Sequence, residues 1–118
     1  MINAGIEVHR AIGPGLLESI YENCLAMELS SRGFNFERQK QVPVIYKGVN
    51  AGRPFRPDLL IENEVVVEIK AVENILPIHQ AQALTYLRLS GCPVGLILNF
   101  NSVFLKDGIK RIVNGFDA

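Results

Sequence analysis

Asp58 and Glu68 are the acids whose neighbours set them apart. Of three aspartates, Asp107 stands in a turn-like Asp-Gly pair, Asp117 beside the C-terminus, and Asp58 in what reads as a strand, where Asp is disfavoured. Glu68 lies among β-branched neighbours, after Val65-Val66-Val67 and before Ile69. Glu62-Asn63-Glu64 separates that run from Leu59-Leu60-Ile61, and the pattern predicts two adjacent antiparallel strands turning about Asn63. Leu60 then faces Val66 and Asp58 faces Glu68, which sets the carboxylates about 5 Å apart on one side of the sheet. The parity depends on a three-residue loop; a two-residue loop without a bulge would send them to opposite sides. Arg56 and Lys70, each two residues from an acid, share the carboxylate face.

Two like charges held opposite one another destabilise a fold unless a cation or a proton joins them. Oxygen ligands suit Mg²⁺, which keeps several waters and takes one or two protein carboxylates. Such an ion lowers the pKa of a bound water and neutralises charge developing on a phosphate, so carboxylates, metal and Lys70 form a rational site for phosphodiester hydrolysis. The plainer alternative is an ion network in which Arg56 and Lys70 neutralise the pair.

Helices offer further candidates. His79, Gln82 and Tyr86 share one polar helix face, and Glu18 stands one turn from both Tyr21 and Glu22. For His79 and Glu22 the plain reading is preferred, a first-turn surface residue and a solvated helix residue. Tyr21 reads as a core residue with a water-exposed hydroxyl. Glu18 and Gln82 stay open between a functional and a plain role.

These residues need elements to hold them. Apolar spacing predicts a first helix over Ile2 to Ile12, with Ile2, Ile6, Val8 and Ile12 inward, stopped by Gly13-Pro14-Gly15. A second helix is expected over Leu16 to Arg32, burying Leu17, Ile20, Tyr21, Cys24, Leu25 and Leu29, with Gly33 as its C-terminal cap. Phe34 and Phe36, then Val42, Val44 and Tyr46, alternate as strands do, and Lys47-Gly48 turns the chain into a strand resuming near Val49. A third helix begins at Ile75-Leu76-Pro77, runs through Ala81, Leu84 and Leu87, and ends at Gly91; Val94 to Leu98 is a core strand. The tail from Val103 to Val113 turns at Asp107-Gly108 as a hairpin, with a helix over Ile109 to Val113 as the alternative. The order α-α-β-β-β-α-β plus a tail implies an α/β sandwich around a mixed sheet.

The 118 residues, 48% apolar and 20% charged, fit one domain over 1–118 and exclude a disordered chain. Twelve Lys and Arg balance twelve Asp and Glu, and a pI near 6.7 argues against a protein that coats nucleic acid through bulk positive charge. Cys24 and Cys92, with His9 and His79, lack zinc-site spacing and read as buried thiols. No signal sequence or membrane-length apolar run is visible, which suggests the cytoplasm.

Pro57-Asp58 followed by Glu68-Ile69-Lys70 resembles the signature of the PD-(D/E)XK nuclease superfamily, and Gln82 with Tyr86 is similar to the Q-x-x-x-Y helix motif of its RecB-like branch. Gly15-Leu16-Leu17-Glu18-Ser19-Ile20-Tyr21 resembles the G-x-x-E-x-x-Y motif of one small family within it. The resemblance implies a restriction-endonuclease-like α-β-β-β-α-β core. It further implies that Asp58, Glu68 and the main-chain carbonyl of Ile69 hold Mg²⁺ or Mn²⁺, with Glu18 as an additional acidic position. Lys70 would be the catalytic lysine. Gln82 would orient it or touch the nucleic-acid backbone, with Tyr86 nearby and Arg53 and Arg56 as further contacts.

The function expected is a metal-dependent nuclease acting on DNA in the first place and RNA in the second. Its partners would be nucleic acid and a second copy of the chain or another protein, since so small a core does not surround a duplex alone. A catalytically silent interaction module of the same fold is the alternative, and a structural subunit the third.

Overall fold

The computed structural model describes residues 1–114, so Asp117 lies outside it. Helices α1 (Ile2–Ile12) and α2 (Glu18–Ser31) precede β1 (Phe36–Arg38), a short hairpin of β2 (Ile45–Tyr46) and β3 (Val49–Asn50), then β4 (Leu59–Ile61) and β5 (Val65–Lys70). Helix α3 (Pro77–Ser90) leads to β6 (Val94–Asn99), a 3₁₀ turn (Leu105–Gly108) and β7 (Ile109–Val113). Five strands form one sheet in the order β1-β4-β5-β6-β7. β5 and β6 run parallel through α3, and the other neighbours are antiparallel. Among the described residues no helix is long and apolar enough to cross a membrane.

Two apolar layers explain why β4 and β5 read as unbroken hydrophobic runs: both faces are covered. Leu59, Ile61, Val67 and Ile69 pack toward α1 and α2 with Tyr21, Leu25, Leu29 and Phe100. Leu60 and Val66 pack toward α3 with Leu87 and Cys92. Alternation along β5 therefore aims Glu68 and Lys70 at the α3 side. The α-β-β-β-α-β core made by α2, β1, β4, β5, α3 and β6 is restriction-endonuclease-like, as the resemblance implied, and the element order had predicted its mixed sheet flanked by helices.

The ends of α2 and α3 follow from local chemistry. Gly33 sits at φ 81°, and its N–H bonds Ser30 O while Phe34 N–H bonds Leu29 O, the paired bonds of a Schellman motif. Helix α3 has Pro77 in its first turn and ends at Gly91.

Several expectations change. In α1 the small residues Ala4 and Gly5 turn inward with Val8 and His9, leaving Ile2, Ile6 and Ile12 exposed, because Leu105 comes within 3.1 Å of where a Cβ on Gly5 would stand. In α2 the buried stripe is Tyr21, Leu25, Ala26 and Leu29, and Cys24 is half-buried. Leu17, 73% exposed, and Ile20 lie off that stripe, since the helix starts at Glu18 after an extended Leu17. In α3, Ala83 and Leu87 face the sheet while Ala81 is exposed. β2 and β3 stand as a separate two-stranded sheet. Asp58 lies in a bend before β4, not within a strand. The tail is not helical over Ile109 to Val113: it is strand β7 on β6, reached through the 3₁₀ turn instead of a two-residue hairpin.

Gly108 closes that turn against the backbone. A Cβ there would stand 2.6 Å from the carbonyl oxygen of Asn99, which a side-chain rotation cannot relieve. Gly108→Ala is expected to destabilise the protein by about 1–3 kcal/mol in urea unfolding. Asp107→Ala in the same turn should change stability by no more than about 0.5 kcal/mol.

Candidate active site

The β4–β5 register settles the parity question. Leu59 pairs with Val67, Leu60 with Val66 and Ile61 with Val65, around the three-residue loop Glu62-Asn63-Glu64. Glu62 and Asn63 both adopt positive φ, which lets so short a loop close. Asp58 therefore comes opposite Glu68, and its Oδ2 accepts the Ile69 N–H at 2.8 Å.

The main-chain carbonyl of Ile69 is directed to the β4 side of β5. Lys70 O accepts Phe100 N–H at 2.9 Å, so Lys70 directs its backbone groups toward β6 and Ile69 directs its own toward β4. On continuing the register, the residue opposite Ile69 is the buried Pro57, which has no N–H to donate. Pro57 therefore cannot donate a ladder bond to the Ile69 carbonyl.

Glu68 is buried, and its Oε1 has no hydrogen-bond partner. Burial, first, and then the Asp58 carboxylate, by its charge and as acceptor for the protonated form, push the Glu68 carboxyl up to about 8. Lys70 pulls it down and Glu18 adds to the rise. The ion-network alternative is not what forms. Ion pairs among the described residues join Arg10 to Glu7, Arg32 to Glu28, Arg38 to Glu22 and Lys40 to Glu37; none reaches Asp58 or Glu68 within 4.0 Å. Arg53 and Arg56 are exposed and Lys70 is half-buried.

Glu18 reaches the far end of β5, where its Oε2 accepts the Ala71 N–H at 3.1 Å. Tyr21 explains how it is held there. The buried Tyr21 hydroxyl donates to Gly13 O at 2.6 Å and accepts Leu16 N–H at 3.0 Å, binding the loop that feeds α2, while its ring stacks on Phe100 at 4.5 Å. The hydroxyl is thus satisfied by backbone and not by solvent. Among the described residues no three His, Cys, Asp or Glu side chains converge on one point, so Glu18 does not complete a three-residue cluster with Asp58 and Glu68.

On α3, Tyr86 faces the carboxylates from a stack with Phe55, ring centres 4.5 Å apart. Desolvation and the nearby Glu68 raise its hydroxyl pKa, and the exposed Gln82 one turn earlier moderates the rise. His79 stands in the first turn of α3, as the plain reading had it, but is half-buried and caps the helix: its Nδ1 accepts the Leu76 N–H at 3.0 Å. Glu22 is ion-paired with Arg38 and not freely solvated.

Two positioning residues escaped the sequence reading. Gln39 donates its amide to Glu22 Oε1 at 2.9 Å and to Asp58 Oδ1 at 3.2 Å, from a backbone at φ 52°. Buried Asn99 accepts Val72 N–H and donates to Val72 O, fixing the chain just after Lys70. Neither has a linear signal, because each acts across elements far apart in the chain. The apolar cavity of about 430 Å³ between α1 and Val103–Lys106 lies elsewhere and has no acid in its lining.

A family model of the PD-(D/E)XK nuclease superfamily matches residues 1–112. The chain belongs to that superfamily. No curated protein and no solved structure gives a significant match. PD-(D/E)XK nucleases typically use divalent metals, and the donor set here fits one: a buried carboxylate oxygen without a partner among the described residues, and a second carboxylate beside it.

The raised Glu68 carboxyl predicts a pH dependence. Without metal, the folded state holds a proton that the unfolded state has released between about pH 4.5 and 8, so stability is highest at the acid end and falls as pH rises. Melting temperatures in EDTA should fall across that window for the native protein and stay flatter for Glu68→Gln. Equal slopes would show that Glu68 titrates normally.

Proposed function

We propose that this PD-(D/E)XK protein is a divalent-metal-dependent nuclease of the GxxExxY family that hydrolyses phosphodiester bonds, in DNA first and RNA second. One observation carries the reading: a buried Glu68 oxygen that has no partner among the described residues, next to Asp58, with no Lys or Arg among those residues paired to either acid. A buried carboxyl next to a second acid stays protonated unless a cation joins the pair, and a divalent metal would take the place of that proton.

Asp58, Glu68 and the Ile69 carbonyl would hold Mg²⁺ or Mn²⁺. When bound, the ion supplies Lewis-acid stabilisation of phosphate charge and a more acidic water. The chain's own residues do the rest. Gln39 and the Ile69 N–H fix the two oxygens of Asp58, so little reorganisation is needed on binding. Lys70, on the Glu68 face, orients the attacking water or meets charge as it develops on the scissile phosphate. Glu18 steadies the turn after Lys70 through the Ala71 N–H, and Tyr21 holds the helix that carries Glu18, which gives the G-x-x-E-x-x-Y spacing a mechanical role. Tyr86 and Gln82 contribute donors near the phosphate. Because Arg53, Arg56 and Lys70 are few cations for a duplex, a second copy of the chain or a partner protein completes the substrate surface.

The test is cleavage of supercoiled plasmid, single-stranded DNA and RNA with Mg²⁺, Mn²⁺ or EDTA. The native protein should cut with metal only, Asp58→Ala should abolish cutting, and Lys70→Ala should slow it by roughly 10²–10³-fold. Cutting that survives EDTA or Lys70→Ala contradicts the mechanism.

A further inference from the structure

We propose that the β2–β3 hairpin is an arm that grips a single strand of nucleic acid, with Tyr46 and Lys47 at its tip and Arg53 and Arg56 near its base. The inference rests on the nuclease reading above and deepens it by naming how the strand is held.

Charge is the first observation. From Gln39 to Pro57 the chain carries Lys40, Lys47, Arg53 and Arg56 and no acid, leaving eight cations against twelve acids elsewhere. The neutral total therefore hides one segment of uniform sign, which is the electrostatic form a phosphate backbone selects.

The second observation is what this segment exposes. Ile45, Tyr46 and Val49 are 51%, 65% and 66% exposed on a hairpin of only two residue pairs. Such a hairpin is marginal alone and gains little from folding by leaving its apolar residues in water. Lys47 and Gly48 both adopt positive φ, giving a tight turn that fixes the tip, and Lys47 Nζ lies 5.4 Å from the Tyr46 ring centre. An exposed aromatic ring with an adjacent cation suits stacking on an unpaired base while holding its phosphate.

The arm is also rooted at the carboxylates. Val42 and Phe55 pair through N–H···O bonds of 2.9 and 3.0 Å, and Phe55 stacks on Tyr86. The segment begins at Gln39, which bonds Asp58, and ends at Pro57. A strand held at the tip is led to the face that carries Asp58, Glu68 and Lys70. Stacking requires a base that is out of the duplex, so the geometry points to single strands and frayed ends over intact duplex.

Fluorescence anisotropy in EDTA, with a labelled oligothymidine and a matched duplex, tests this without cleavage. Tyr46→Ala should weaken oligothymidine binding roughly tenfold, Tyr46→Phe should restore it, and Lys47→Gln should flatten the salt dependence by about 0.7 in log–log slope. Unchanged melting temperatures show that the variants are folded. Native-like binding by Tyr46→Ala overturns the proposal, as does absence of binding by the native protein. So does loss of self-association with DNA affinity intact, which would make a second copy the occupant. Binding through Tyr46 without metal-dependent cleavage by the native protein would sink the nuclease reading and leave the arm standing. Cleavage with Tyr46→Ala indistinguishable from native in binding would do the reverse.

Discussion

Two carboxylates meet beside the β4–β5 pair, Glu68 buried and Asp58 half-buried, and among the described residues no basic side chain is paired with either. Burying even one ionised carboxylate without compensation is costly, and a second beside it raises the cost. Glu68 meets this by holding a proton to about pH 8. A divalent cation would answer the same demand from outside. The site is thus a standing electrostatic debt within an otherwise well-satisfied core.

Much of the surrounding architecture keeps that arrangement from relaxing. β5 is central in the sheet, with Val67 and Ile69 packed into one layer and Val66 into the other, so the backbone that carries Glu68 is held from both faces. Gln39 and the Ile69 N–H take one oxygen of Asp58 each. Asn99 and Glu18 fix the backbone after Lys70 from two directions, one from β6 and one from α2. The Tyr21 hydroxyl anchors the loop before α2. These contacts spend hydrogen-bonding capacity on orientation, which is what a preorganised site requires.

What the sequence made legible was the part governed by local rules. Gly33, Gly91 and Pro77 bounded helices as their backbone preferences dictate, and the apolar runs on either side of Glu62-Asn63-Glu64 fixed a register that brought Asp58 to Glu68. The same alternation set Lys70 on the face of β5 that carries Glu68. Periodicity failed where packing decided the face: Gly5 and Ala4 let α1 approach closely, so Ile2 and Ile6 stayed outside although they are the more hydrophobic. Leu17 misled because it caps α2 and does not belong to its buried stripe. Gln39 and Asn99 were invisible, since their partners lie far away in the chain and neither residue type announces a role.

The central claim is that the Asp58–Glu68 pair exists to receive a divalent cation, and proton-linked calorimetry tests it most directly. Mn²⁺ titrated into the protein at about pH 7, in two buffers of different ionisation enthalpy, reports how many protons leave on binding. With the Glu68 carboxyl at about 8, close to one proton should be released by the native protein, and Glu68→Gln should release none. Binding without proton release, or equal binding by Glu68→Gln, would contradict the account.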